Sequence, residues 1–197
     1  MSEQKKVTGV ILAGGLARRM QQQDKGLILF NNRPMVSYAI NAMVQVADEV
    51  LINANRSQQE YQQLGYPVFA DETQDFSGPL AGIYTAMTKT RSPVILVMPC
   101  DSPLMKASHL QKLLDTLEAL DADIAVAFDG ERLQPVFLAL NTSLKDSLKD
   151  YLAQGQRKID RWLQQHKLVK VDFSDNKEVF KNINTPEDLK ALEELYS

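Results

Sequence analysis

The residues best suited to chemistry lie early in the chain, in Leu12-Ala13-Gly14-Gly15-Leu16-Ala17-Arg18-Arg19-Met20-Gln21-Gln22-Gln23-Asp24-Lys25. Paired glycines let backbone N–H groups approach an anion with no Cβ in the way. Arg18, Arg19 and Lys25 follow Gly15 within ten residues. A triphosphate calls for that much positive charge: Arg grips phosphate oxygens in bidentate fashion, and Lys supplies a point charge. A turn requiring positive φ, followed by a solvated basic face, would also place two glycines here. Neither the P-loop pattern Gly-x4-Gly-Lys-Ser/Thr nor the dinucleotide pattern Gly-x-Gly-x-x-Gly is present.

Further candidates stand just beyond apolar runs. Asp101, in Pro99-Cys100-Asp101-Ser102-Pro103, could hold Mg²⁺ while the ion keeps water and phosphate oxygens as its other ligands, or could be a turn aspartate before proline. Asp71 could accept the N1–H and N2–H₂ of guanine, whose edge offers adjacent donors that adenine lacks; a strand-terminal turn would use it as well. Gly78-Pro79-Leu80-Ala81-Gly82 reads as a helix start where a base or ribose could lie against Gly78 and Gly82, with capping and close packing as the structural counterpart. Thr185, Pro186 and Asp188 form a helix cap that requires neither Asn182 nor Asn184, so these two asparagines are candidates for an acceptor substrate, with a solvated strand edge as the structural counterpart. Cys100 reads as a small buried residue, and neither His109 nor His166 has metal-ligand spacing.

To position these groups the chain needs strands that end beside one another. Val7–Ala13, Glu49–Ala54, Val68–Ala70 and Val94–Met98 read as strands, separated by amphipathic stretches over Pro34–Ala47 and Leu80–Thr88. That βαβα order, with near-continuous apolar strands such as Val94-Ile95-Leu96-Val97-Met98, predicts an α/β fold with a doubly wound, mostly parallel sheet and helices on both faces. Ligands bind such a sheet beyond the carboxyl ends of its strands, which gathers Leu12 to Gly15, Asn53, Asn55, Asp71 and Asp101 into one crevice. Further on, 107–120 reads as a helix, 123–128 and 134–140 as strands joined at Asp129-Gly130, where the topology turns mixed. Segments 143–153 and 158–166 read as helices, 168–173 as a strand and 186–195 as a closing helix.

The whole chain, 1–197, reads as one nucleotide-handling domain, a length over which a single core can form. A net charge of −3 argues against coating nucleic acid or an anionic membrane, so the anion site must be local. One cysteine excludes an intramolecular disulfide and fits a reducing, cytoplasmic setting. No apolar run approaches the ~18 residues of a membrane span.

Taken together, Leu12 to Gly15 with Arg18-Arg19-Met20 and Asp24-Lys25-Gly26, Asn53-Ala54-Asn55-Arg56, Asp71, Gly78 to Gly82, Cys100-Asp101-Ser102-Pro103, Asp129-Gly130-Glu131-Arg132 and Asn182 to Leu189 resemble the molybdenum cofactor guanylyltransferases, within the glycine-rich-loop nucleotidyltransferases. The resemblance implies a Rossmann-like nucleotidyltransferase fold. It also implies transfer of GMP from GTP to the terminal phosphate of molybdenum-molybdopterin, giving the guanine dinucleotide cofactor and pyrophosphate. By the same resemblance Leu12, Ala13, Gly14, Lys25, Asn53, Asp71 and Asp101 bind GTP, with Asp101 also ligating Mg²⁺, and Arg19, Asn182 and Asn184 face the pterin acceptor. The chain departs from the family pattern at Gln21-Gln22-Gln23, where glycine is usual.

In that reaction catalysis comes mainly from positioning and charge neutralisation, so Lys25, Arg19 and Asp101 are the candidate catalytic residues. A molybdenum-insertion protein and an apo-molybdoenzyme or its chaperone are the implied protein partners. Two other functions would use the same residues. One is a nucleotidyltransferase acting on a sugar or polyol phosphate with CTP or UTP, the other a non-catalytic GTP-binding protein that delivers the cofactor.

Overall fold

The computed structural model describes residues 5–13, 16–17, 23–72, 78–183 and 185–196. Gly14, Gly15, Arg18, Arg19, Gln21, Gln22 and Asn184 lie outside them. The first half of the chain runs β1 (Val7–Leu12), β2 (Leu16–Ala17), β3 (Gln23–Asp24), a 3-10 turn over Lys25–Leu27, β4 (Leu29–Phe30), β5 (Arg33–Pro34), α1 (Met35–Met43), β6 (Glu49–Asn53), α2 (Gln58–Gln62), β7 (Val68–Phe69), α3 (Pro79–Lys89) and β8 (Val94–Pro99). The second half adds α4 (Ala107–Ala119), β9 (Ile124–Phe128), β10 (Leu133–Asn141), α5 (Lys145–Ala153), α6 (Ile159–Leu163), β11 (Leu168–Asp172) and α7 (Pro186–Tyr196).

Seven strands form one sheet in the order β11-β9-β10-β8-β1-β6-β7, and β10 alone runs against its neighbours. The turn Asp129-Gly130 produces that reversal: Asp129 accepts the backbone N–H groups of Glu131 and Arg132, at 2.9 and 2.8 Å. Alternate residues of each strand supply opposite cores, as the two-residue strand period requires. Val7, Ile11, Leu96 and Met98 pack beneath α1 and α4, whereas Val10, Ile95 and Val97 pack beneath α3, α5 and α6. The doubly wound, mostly parallel sheet is therefore present, with helices on both faces.

Some boundaries differ from the sequence expectation. The helix read over 158–166 contracts to Ile159–Leu163, and α2 and the β4–β5 hairpin had no counterpart in it. That hairpin turns on Asn31 and Asn32, both at positive φ (47° and 61°), a conformation asparagine tolerates better than most residues. The cap at α7 forms as read: Thr185 N–H donates to the Asp188 carboxylate at 3.0 Å, and Asp188 N–H donates to Thr185 Oγ1 at 3.1 Å. Among the described residues, no helix is long and apolar enough to cross a membrane.

One residue of β1 breaks its apolar pattern. Thr8 is fully buried, with its hydroxyl 2.6 Å from that of Thr90 and 2.9 Å from that of Ser92. These contacts tie the start of β1 to the connection between α3 and β8, which helps hold the two central strands in register. Thr8→Val keeps the shape but leaves those hydroxyls without their partner, so a loss of about 1–2 kcal/mol is expected in urea denaturation. Wild-type stability in the Val variant would contradict the assignment.

Candidate active site

Parallel pairing places the strand ends side by side. Leu12 lies opposite Asn53 on β6 and Pro99 on β8, and Asn53 lies opposite Phe69 on β7. Hydrogen bonding continues past the strands: Ala13 N–H to Asn53 O at 2.8 Å, Ala54 N–H to Phe69 O at 2.8 Å, and Cys100 N–H to Leu12 O at 3.1 Å. The loops after β1, β6 and β8 thus leave the sheet as a braced edge, with the candidate residues standing on it.

At the centre of that edge Lys25 Nζ lies 3.0 Å from Asp101 Oδ2, with side-chain exposures of 17% and 9%. Lys25 arrives there through local packing. The Tyr61 hydroxyl, on fully buried Tyr61 of α2, donates to Asp24 Oδ1 at 2.5 Å. Gly26 fits only because it lacks a side chain, since a Cβ there would lie 2.4 Å from the Tyr61 oxygen and 3.1 Å from Cys100 Sγ. Burial pushes the Asp24 carboxyl above its usual range, against the bond from Tyr61, and Asp24 Oδ2 has no hydrogen-bond partner among the described residues. Burial likewise pushes the Cys100 thiol up, so it is a packing residue rather than a thiolate nucleophile. His109 is taken up by structure as well: its Nδ1 accepts Lys106 N–H at the start of α4, and burial lowers its pKa.

To one side of this pair stands an amide–carboxylate cluster. Asn53 Nδ2 donates to Asp71 Oδ1 at 2.9 Å, and Asn55 Nδ2 donates to Asp71 Oδ2 at 2.8 Å. Gly82, read as a surface for a base or ribose and as a close-packing position, shows the packing: it is buried in α3, and an added Cβ would sit 2.3 Å from Asn53 Oδ1. Gly78 precedes α3 at φ 92°, with Pro79 at the first helical position, which is the cap that was read.

On the other side, buried Ser102 donates to Asn182 Oδ1 at 2.7 Å, which brings the segment before α7 next to Asp101. The described residues therefore place Leu12, Ala13, Lys25, Asn53, Asp71, Asp101 and Asn182 along one edge. Gly14, Gly15, Arg19 and Asn184 lie outside the described residues. Asn55, placed in the crevice by the strand-end rule, joins them, and Tyr61 and Ser102 complete the arrangement without roles from sequence: Ser102 flanks a candidate, but α2 offers too little apolar periodicity to mark Tyr61. A separate hollow, lined by Asp48, Glu118, Asp121 and Asn141, lies at the opposite, amino edge of the sheet and contains none of these residues.

Comparison with known proteins gives consistent matches. Residues 9–171 match the family model described as the MobA-like NTP transferase domain. The chain is 47% identical over 188 residues to the molybdenum cofactor guanylyltransferase of Shewanella loihica, covering 95% of this chain and 96% of that one. It is 48% identical over 187 residues to the protein of the same name from Shewanella amazonensis, covering 95% of each. Among solved structures, molybdopterin-guanine dinucleotide biosynthesis protein A from Archaeoglobus fulgidus aligns with a TM-score of 0.79 at 23% identity, over 96% of this chain and 98% of that one. The 4-diphosphocytidyl-2C-methyl-D-erythritol synthase of Anaerococcus prevotii aligns with a TM-score of 0.76 at 12% identity, over 98% and 96%, a likeness of fold.

The contact between Gly82 and Asn53 can be tested by coupling. Gly82→Ala should cost about 1–3 kcal/mol in urea denaturation by driving the Asn53 amide off Asp71. Adding Asn53→Ala should cost less than the sum of the two single changes, because the clash is then relieved. Additive losses would show that the two residues do not meet.

Proposed function

This chain belongs to the MobA-like NTP transferase family, and from that premise we infer that it transfers GMP from GTP to the terminal phosphate of molybdenum-bearing molybdopterin, releasing pyrophosphate. The observation that carries the reading onto this chain's own residues is the Lys25–Asp101 pair, set between the Asn53–Asp71 cluster and Asn182 on one sheet edge. The acceptor phosphate attacks the α-phosphorus in line: its oxygen–phosphorus bond forms as the bond from the α-phosphorus to the bridging oxygen breaks, and pyrophosphate leaves with the electron pair. No general base is needed, since a phosphate monoester is already ionised near neutral pH. Lys25 and Arg19 offset charge on the departing pyrophosphate, the backbone of Leu12 to Gly15 cradles the triphosphate, and Asp71 accepts the guanine edge. Asn182 and Asn184 orient the acceptor.

The donor set suits Mg²⁺. Asp101 offers one carboxylate, and Mg²⁺ commonly takes only one or two from protein, keeping water and substrate phosphates as its other ligands. Among the described residues there is no group of three or more acidic, histidine or cysteine side chains that could cage a metal. When bound, the ion neutralises phosphate charge and aligns the triphosphate. We extend the reading to one catalytic domain working in the cytoplasm, between a molybdenum-insertion protein upstream and an apo-molybdoenzyme or its chaperone downstream.

Purified molybdopterin, Mg²⁺ and a panel of GTP, ATP, CTP and UTP should give pyrophosphate and a dinucleotide with GTP alone. Preference for CTP would reject the guanylyl reading, and GTP binding without pyrophosphate release would reject catalysis. Asp101→Ala should lower turnover by about 10²–10³-fold. A fully active Ala variant would overturn the metal assignment.

A further inference from the structure

We propose that Asn55 is a specificity-positioning residue: it orients the Asp71 carboxylate so that guanine is preferred over bases with one donor on that edge. The proposal rests on the reading that Asp71 accepts guanine's N1–H and N2–H₂. Asn55 grips Asp71 at two points, donating from Nδ2 to Oδ2 at 2.8 Å and accepting the backbone N–H of Asp71 on Oδ1 at 2.8 Å. Chemistry fixes the direction of this amide, because a backbone N–H can only donate and a carboxylate can only accept. A flipped amide would oppose donor to donor and acceptor to acceptor. One planar group thereby ties the main chain of Asp71 to its own carboxylate, holding the side-chain torsion and the plane of the carboxylate together.

The other oxygen is held from the interior. Asn53, 5% exposed and confined by Gly82, donates to Asp71 Oδ1 at 2.9 Å. Each carboxylate oxygen can accept about two hydrogen bonds, so among the described residues, with one taken by each asparagine, one acceptor direction remains on each. Two remaining acceptors match the two donors of the guanine edge. Hypoxanthine retains N1–H but lacks the exocyclic amine, and so fills only one.

A purely structural role accounts poorly for Asn55. Its side chain is exposed, and hydrogen bonds that water can replace add little to stability. What water cannot replace is direction. Without Asn55, Asp71 still has its charge but can rotate about its side-chain bonds, and simultaneous acceptance of two donors is lost before acceptance of one.

The test is binding of GTP and of inosine triphosphate, each with Mg²⁺, to the full chain by titration calorimetry. It uses wild type, Asn55→Ala, Asp71→Asn and the double variant. Because both nucleotides are measured on one preparation, the ratio of their dissociation constants is independent of the folded fraction. Asn55→Ala should lower the preference for GTP about five- to tenfold, chiefly by weakening GTP, and should add nothing in the Asp71→Asn background. A wild-type ratio in Asn55→Ala beside a lowered one in Asp71→Asn would overturn the role of Asn55 while keeping Asp71 as the reader. A wild-type ratio in Asp71→Asn would overturn the reading of Asp71, and the role of Asn55 with it. A further loss in the double variant would show that Asn55 acts independently of Asp71, and would also overturn the proposal.

Discussion

An ammonium and a carboxylate largely withdrawn from water have to face one another, and in this protein Lys25 and Asp101 do so at 3.0 Å across 76 residues of sequence. Removing Lys25 would take from the Asp101 carboxylate its ion-pair partner at a cost of order 3 kcal/mol, whereas apolar residues of similar volume in both places would serve the fold as well or better. Such a pair is weak as a stabilising device and strong as a functional one. In the proposed reaction a triphosphate with its divalent ion would offer each member a stronger partner than the other: phosphate oxygens for the lysine, the ion for the aspartate. The pair keeps both charges matched and aligned until that exchange.

Much of the surrounding structure serves this contact. Parallel pairing of β1 with β8 brings Leu12 opposite Pro99, so the loop that carries Lys25 starts beside the one that carries Asp101. The return of the first loop depends on interior packing. Tyr61 reaches from α2 to hold Asp24, and Gly26 slots between the Tyr61 hydroxyl and Cys100. Asp24 carries a cost, since its carboxyl is buried with one oxygen lacking a partner among the described residues. A locally unfavourable group next to the lysine proposed as catalytic is what is expected where geometry has been favoured over stability.

The seven strands of the main sheet and most helices were legible because apolar periodicity reports directly on burial: Val94 to Met98 alternates between two cores, and Thr185 with Asp188 forms its cap from local chemistry alone. The α2 segment was not, because Gln58-Gln59-Glu60-Tyr61-Gln62 presents one buried residue and no repeating stripe. The same division runs through the candidate site. Asp71, Asp101 and Asn53 could be picked out as polar residues at the ends of strands. Which residue bonds to which could not, since the bonds from Asn53 and Asn55 to Asp71 span 18 and 16 residues, and that from Ser102 to Asn182 spans 80. Gly82 shows the limit most plainly: its glycine character points to close packing, but only the structure shows that the neighbour is Asn53.

The most direct measurement of the central role of the Lys25–Asp101 pair is the rate of pyrophosphate release by the variant Lys25→Met/Asp101→Leu, with GTP, molybdopterin and Mg²⁺. The expected result is a loss of at least about a thousandfold in rate, with a thermal midpoint near that of the wild type, because both charges leave together and apolar volume replaces them. A variant that melts normally and releases pyrophosphate within tenfold of the wild-type rate would contradict the assignment of these two charges to the chemistry.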